Sequence, residues 1–380
     1  MSAKERHMKV LMIATNLDKG GIGSVVITLY RSLIKAGVDC DLIYYTGSEP
    51  TSELQNEIKK NGSRLWEFKN FKTAGLFGYI SQVYQLCKKE KYDAVHIHTS
   101  LLIWVAALGA KLAGVPIRVG HAHGAKFLNY SQKVLTVLEP TGRFLNRVFC
   151  TDFVTCAQVS AQYTFGREAV FIPNYLPEEK ILAVQKQEIE KTRKEVNPEG
   201  KKYLFGYLGC LDGVKHADFL LDVWKELKEN SVDATLFLAG NTEREMRFQS
   251  RVEELGLDEY VQMLGFRRDA SVLIQAADYY VSASETEGMS ASMVEAQMAG
   301  RPCFASALLP PENDLKVDLF LRIEGYDPKV WAQTIADALK SGNAPITREE
   351  ALQRVRDKGV GEDGSVKALL EIYKKAEKCK

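Results

Sequence analysis

A chain of 380 residues exceeds one ordinary domain, and 46% hydrophobic against 26% charged residues marks a soluble globular protein with enough apolar side chain for two cores. A formal net charge of +1 leaves no basic excess that calls for nucleic acid. The seven cysteines are odd in number, scattered and without a CxxC pair, which fits reduced thiols in a cytoplasm rather than a disulfide frame or a metal knuckle.

The N-terminus turns polar after a short apolar run, and the longest apolar stretch, Leu101 to Ala110, is too short to cross a bilayer. Neither a signal peptide nor a transmembrane helix is expected. From Lys9 onward, short aliphatic runs alternate with longer helical patterns: KVLMIA, CDLIYY, AVHIH and PIRVGHAH read as strands before residue 180. A charged, helix-favouring stretch from Glu178 to Lys202 follows, after which YLFGYLG, ATLFLAG, YVQMLG, YYVSAS and PCFAS restart the pattern. This alternation predicts an α/β chain of two doubly wound parallel-sheet domains: residues 1–177, a linker at 178–202, and residues 203–360. A last charged helix, within 361–380 and starting near Gly364, is expected to pack back on the N-terminal domain. In such sheets ligands sit beyond the C-terminal strand ends, so the residues just after each strand carry the functional reading.

After the first strand, Gly20, Gly21 and Gly23 open a helix, whose N-terminal amides suit an anion and whose glycines let a ligand approach. The dinucleotide fingerprint is incomplete: its third glycine falls at Val26, and the second strand ends without the acidic residue a ribose needs. A turn that merely starts a helix is the plainer alternative. His96, His98, His121 and His123 end two strands, with no carboxylate or cysteine at metal-ligand spacing, so no metal site is expected. Satisfied, partly buried rings are the simple reading of His96 and His98, while His123, followed by Gly124 and a loop, is the better ligand contact. Lys215 opens a helix against the macrodipole, which a bound anion would explain and an exposed lysine would not require.

The stretch SASETEGMSASMVEAQMAG places Glu287 in a loop and Glu295 inside a helix that Ser290 or Ser292 caps, ending near Ala299. With a rise of ~1.5 Å per residue, Glu295 lies roughly 7 Å along the axis from a cap at Ser290, so the carboxylates flank a helix N-terminus. That layout fits a ligand with hydroxyls at both ends and a diphosphate between, although ordinary surface glutamates also satisfy the spacing.

Read together, EGMSASMVE with the strand before it and AQMAGRPCFAS after it, the Gly20-Gly21 loop, AVHIHTSLL, GAKLAGVPIRVGHAHG, the IPN of Ile172 to Asn174, and VKHADFLLDV resemble retaining glycosyltransferases of family four. The likeness runs over most of the chain, in the family's order, and is nearest the exopolysaccharide and capsular type. It implies the GT-B architecture, two Rossmann-like domains facing across a cleft, with the acceptor on the N-terminal domain and the nucleotide sugar, a UDP-sugar, on the C-terminal one. Carried over residue by residue, it implies that Glu295 holds ribose hydroxyls. Glu287 and His123 reach the donor sugar as the catalytic pair, helped by amides from Gly288, Met289, Ser290 and Ala291. Lys215 neutralises the diphosphate near Gly20 and Gly21, and the base rests against Gly265 and Phe266. No metal or other cofactor is implied; the co-substrate is the nucleotide sugar, and the acceptor is a saccharide or lipid-linked sugar.

Two positions depart from the family pattern. Cys210 stands where relatives carry an arginine that pairs with the lysine on the diphosphate, so either another base such as Arg267, Arg268 or Lys19 supplies the charge, or the donor is held weakly, or the donor lacks the usual diphosphate. Tyr175 follows the IPN where many relatives have glycine. Lys69, Lys72, Lys88, Lys89 and Lys91 suggest peripheral contact with the inner face of a membrane, or simply solvated faces. The competing readings are a non-catalytic nucleotide-sugar-binding protein, a nucleotide-sugar epimerase of the same architecture, and, least favoured, a nicotinamide oxidoreductase.

Overall fold

The computed structural model describes residues 7–14, 17, 20–124, 132–211, 213–240 and 245–379. The chain divides into two compact units, one built from residues 1–175 and 361–380, the other from residues 176–360.

The first unit is a parallel sheet of β1 (Lys9–Ile13), β2 (Asp39–Tyr45), β3 (Leu65–Phe68), β4 (Ala94–Ile97), β5 (Ile117–Ala122), β6 (Asp152–Thr155) and β7 (Val170–Phe171). Its order is β3-β2-β1-β4-β5-β6-β7, so the connections reverse direction between β1 and β4. Successive side chains of a strand point to opposite faces, and β1 uses both: Val10 and Met12 enter one apolar cluster, Leu11 and Ile13 the other. The helix Glu362–Lys374 contributes Leu369, Ile372 and Tyr373 to the first of these clusters, so the C-terminal segment is core to this unit.

The second unit repeats the plan with β8 (Tyr203–Leu208), β9 (Ala234–Ala239), β10 (Val261–Gly265), β11 (Tyr279–Ser282), β12 (Cys303–Ser306) and β13 (Phe320–Ile323), ordered β10-β9-β8-β11-β12-β13. All pairings are parallel, and the reversal falls between β8 and β11. Phe205 and Tyr207 face one core cluster, Leu204 the other.

The stretch 178–202, expected as a linker, instead forms the helices Glu178–Ala183 and Lys186–Val196 and belongs to the second unit. Arg193 is the reason: its guanidinium forks onto Asp278 at 2.9 and 2.8 Å and donates to the Ala276 carbonyl at 2.9 Å. Thr192 and Val196 are buried on the same helix.

Candidate active site

In the second unit, β8, β9 and β10 each run into a glycine at the C-terminal edge: Gly209, Gly240 and Gly265. A Cβ at Gly240 would lie 1.7 Å from the Gly209 carbonyl oxygen, so this edge closes only without a side chain there. Backbone bonds from Gly209 to Ala239 (3.0 Å) and from Gly240 to Gly265 (2.8 Å) extend the ladder to the rim. Gly265 has φ 62°, and next to it Phe266 is 65% exposed, an apolar ring left at the mouth of the sheet.

Beyond Gly209 the chain passes exposed Cys210 and buried Leu211 into a single helical turn, Gly213–Lys215. There Lys215 Nζ meets Glu287 Oε1 at 2.9 Å. The two loops after β8 and β11 are stitched together at this point, because the Glu285 amide also donates to the Val214 carbonyl at 2.8 Å. His216 takes a left-handed backbone, φ 48°, uncommon for a residue with a side chain, and its ring stacks on Tyr326 with centroids 4.9 Å apart. Tyr326 in turn donates to the Ala283 carbonyl at 3.0 Å. Lys215 and Glu287 thus sit on opposite sides of the strand reversal, where an open parallel sheet offers its ligand crevice.

Glu295 has different surroundings. It lies on the helix Ala291–Met298, 8% exposed, and accepts from the Ser271 hydroxyl. Burial pushes its carboxyl above the usual range, opposed by the Ser271 bond and the charge of Lys180. Ser290 occupies the cap position, but its side chain does not bond the helix amides. Ser292 is not a cap either: its hydroxyl donates to the Leu208 carbonyl at 3.1 Å. Buried Tyr280 ties these pieces together, receiving the Leu208 amide at 3.0 Å and donating toward the Leu208 carbonyl (2.9 Å) and Ser292 Oγ (2.7 Å).

Gly288, Met289 and Ser290 are buried and Ala291 is half-buried, so this segment forms a wall rather than a mobile flap. Asn313, a residue that sequence reasoning missed, holds it: Oδ1 accepts the Ser290 amide at 2.8 Å and Nδ2 donates to the Gly288 carbonyl at 2.8 Å. No local signal marks Asn313 or Tyr280, whose partners are distant in sequence. The strand-then-glycine repeat of YLG, FLAG and MLG was the signal available for Gly209 and Gly240.

The missing arginine at Cys210 is not replaced by Arg267, whose guanidinium is spent on Asp269 (2.9 and 2.6 Å) and Glu195 (2.6 Å). Lys19 and the beginning of the loop Lys126–Leu135 lie outside the described residues.

In the first unit, Gly20 begins the helix Gly20–Lys35, and nothing lies within 4 Å of a Cβ built at Gly21. His123 follows β5 and is 8% exposed. Rather than partly buried, His96, His98 and His121 are almost wholly enclosed, and the four rings form one stack with neighbouring centroids 4.1–5.2 Å apart. His98 Nδ1 bonds His123 Nε2 at 2.8 Å, His96 Nε2 bonds His121 Nδ1 at 3.1 Å, and His96 Nδ1 bonds the Tyr373 hydroxyl at 2.6 Å. Burial without a carboxylate drives all four toward the neutral form, His96 to about 3, His123 to about 4, and His98 and His121 well below the usual value. His96, His98 and His121 have ligating atoms within 4.8 Å of one another. His98 Nε2, His121 Nε2 and His123 Nδ1 are buried and have no hydrogen-bond partner among the described residues, so the expectation of satisfied rings does not hold for His98.

Comparison with known proteins agrees with this geometry. Residues 19–175 match the family model Glycosyltransferase Family 4, and residues 188–357 the model Glycosyl transferases group 1. EpsF of Bacillus subtilis (strain 168), assigned as a glycosyltransferase, is 27% identical over 376 residues, 96% of this chain and 96% of its own. The Escherichia coli UDP-Gal:alpha-D-GlcNAc-diphosphoundecaprenol alpha-1,3-galactosyltransferase is 27% identical over 326 residues, 80% of this chain and 81% of its own. Among solved structures, Anabaena HepE in complex with UDP has the same fold, with a TM-score of 0.76 at 17% identity, covering 96% of this chain and 99% of that one. With one model on each half of the chain and two Rossmann-like sheets to match, the chain belongs to the family-four glycosyltransferases of GT-B fold.

Proposed function

We propose that this chain moves a sugar, with retained anomeric configuration and without a metal, from a UDP-sugar to a saccharide or lipid-linked acceptor in surface polysaccharide synthesis. The observation that carries the reading is the Lys215–Glu287 pair at the strand reversal, next in sequence to the wall Gly288–Ser290 and the helix that bears Glu295. Support for the donor and acceptor classes comes from the relatives: HepE binds UDP, and the E. coli enzyme is named for a UDP-sugar donor and a diphosphoundecaprenol acceptor.

The mechanism follows from where charge develops. As the bond between the anomeric carbon and the β-phosphate oxygen breaks, its electron pair goes to the diphosphate and positive charge grows on the sugar. A fixed cation near the phosphate lowers the barrier, and Lys215 is that cation. The acceptor hydroxyl attacks the anomeric carbon from the face the diphosphate leaves, giving its proton to the departing phosphate oxygen. Within the second unit Glu287 positions the sugar, Glu295 accepts from the ribose hydroxyls, and the base lies on Gly265 and Phe266. His123, neutral in its stack, offers a hydrogen bond rather than a charge.

Membrane contact belongs to the same proposal. From Lys69 to Lys89 the chain carries four lysines and no acidic residue, and Phe77, on the helix Phe71–Glu90, is 84% exposed. Lysines and an exposed aromatic ring of this kind suit an anionic bilayer, where a lipid-linked acceptor resides. No helix among the described residues is long and apolar enough to cross a membrane.

The test is proton NMR of the product glycoside, formed with and without EDTA. An α-linked product from an α-linked donor, at an undiminished rate in EDTA, is expected. An inverted anomer, or a rate abolished by EDTA and restored by Mg²⁺, would overturn the retaining, metal-free reading.

A further inference from the structure

We infer that Asn313 is a positioning residue of the donor site, and that the Ser290 amide, being its partner, is not a ligand of the donor. This rests on the proposed donor site at the start of the helix Ala291–Met298.

Asn313 is fully buried, and its amide is placed to use both ends. Oδ1 accepts from the Ser290 amide at 2.8 Å, while Nδ2 donates to the Gly288 carbonyl at 2.8 Å and lies 3.3 Å from that of Pro310. A loop carbonyl and a loop amide two residues apart are thereby held by one rigid planar group. The Ser290 N–H, one of the donors a helix start usually offers an anion, is already satisfied.

The position of Asn313 is itself fixed by the helix it organises. Gln297, on the last turn of that helix and fully buried, donates from Nε2 to the Asn313 carbonyl at 2.7 Å. Its Oε1 accepts the Leu315 amide at 2.9 Å. From the other side Arg322 donates to the carbonyls of Leu309 (2.6 Å) and Pro310 (3.0 Å), bracing the chain that leads into Asn313. The circuit runs from the helix through Gln297 and Asn313 back to Gly288 and Ser290, so the wall keeps its shape before any donor arrives. Such preorganisation is what a site acting on developing phosphate charge requires. It also corrects the amide set carried over from the family resemblance, from which Ser290 drops out.

The test compares Asn313→Ala and Asn313→Asp with Ile335→Val, a core change on another helix of the same unit. Asp keeps the shape and can accept from Ser290, but it cannot donate to Gly288. Both Asn313 variants should raise the donor KM and the Kd for UDP about 10-fold or more, because a buried partner is left unsatisfied. Ile335→Val should lower the melting temperature and leave both constants within about two-fold. Unchanged KM and Kd in a folded Asn313→Ala would overturn the inference.

A measurement on the unmutated protein covers the case in which the variants do not fold. In amide-resolved hydrogen exchange, the Ser290 N–H should be protected equally with and without UDP. A fast-exchanging Ser290 amide that UDP protects would overturn the inference. Failure of the unmutated protein to bind UDP would instead strike the donor-site reading, while Ser290 protection still reports on Asn313.

Discussion

Lys215 Nζ lies 2.9 Å from Glu287 Oε1, and this single ion pair joins the loop that leaves β8 to the loop that leaves β11. In the proposed mechanism Lys215 faces the diphosphate and Glu287 the sugar, so without a donor the two proposed donor contacts hold each other. A partly exposed pair of this kind contributes only ~0–1 kcal/mol to stability. Lys215→Ala should accordingly lower kcat/KM by about 10²–10³-fold while the melting temperature stays within a few degrees. Turnover and thermal melts on the same preparation check it; a loss of both together would make the pair structural.

Cys210 stands where the family pattern has an arginine for the proposed diphosphate site, and Arg267 is committed elsewhere. Restoring the charge with Cys210→Arg should tighten UDP binding by about 10-fold, the value of one charge-assisted hydrogen bond. Calorimetric titration at low and high salt would detect it, with the gain shrinking as salt rises. An unchanged affinity would mean that a different group already fills the place of the arginine.

The buried carboxyl of Glu295 has a raised pKa, so its ionised form is lost at higher pH than that of an ordinary glutamate. In the proposed site, protonation removes an acceptor for the ribose hydroxyls. The donor KM should rise as pH falls through this range, earlier than for an ordinary carboxylate. Glu295→Gln should have a high KM that is flat across the same range, and pH profiles of the two proteins make the comparison. A KM for the unmutated protein that does not respond to acid would count against ribose binding by Glu295.

The histidine stack makes stability depend on pH with a defined sign. Folded His123 titrates at about 4 and His96 at about 3, below the unfolded value of 6.5, so between these limits the unfolded chain binds more protons. The contribution is fully present above pH 6.5 and is lost as pH falls toward the folded values. At pH 5 it should already be reduced by roughly 1 kcal/mol or more for each histidine so shifted. Urea unfolding between pH 5 and 7 tests this, and an unfolding free energy that is flat over that range would contradict it. Replacing His96 or His98 by an apolar residue should flatten the slope.

The lysine-rich helix Phe71–Glu90 makes a prediction about surfaces. The protein should sediment with vesicles containing phosphatidylglycerol but not with pure phosphatidylcholine, with Phe77→Glu and Lys88→Glu each weakening the association. Each lysine near such a surface contributes ~1 kcal/mol at modest salt. Equal sedimentation with both vesicle types would remove the electrostatic part of the proposal.

Strands were readable in the sequence where aliphatic and aromatic runs end in glycine or turn residues, as in YLFGYLG and ATLFLAG. The strands β3, β6, β7 and β13 were not read, whereas β4, β11 and β12, each of four residues, were legible from their apolar runs. Charge misled the reading of 178–202: lysines and glutamates dominate its composition, yet Ile181 on its first helix and Thr192 and Val196 on its second are buried. At the candidate site, the placement of Lys215 and Glu287 just after strands and of Glu295 on the following helix was legible from local motifs. Asn313, Gln297 and Tyr280 were not, because their role exists only through contacts that folding creates. Ser290 and Ser292 were misread as capping side chains because a serine before a helix usually bonds its amides, whereas here the Ser292 hydroxyl donates to the Leu208 carbonyl and the Ser290 hydroxyl pairs with Ser292.

The central claim is that a nucleotide sugar is broken down on the second unit by a site that includes Glu295. Nucleotide release should be measured from a panel of UDP-, GDP- and other nucleotide sugars with a saccharide or polyprenyl-linked acceptor, for the unmutated protein and Glu295→Ala in parallel. Release from a UDP-sugar, transfer of its sugar to acceptor, and loss of both in Glu295→Ala are predicted. No release from any donor, or release that Glu295→Ala leaves intact, would contradict the account.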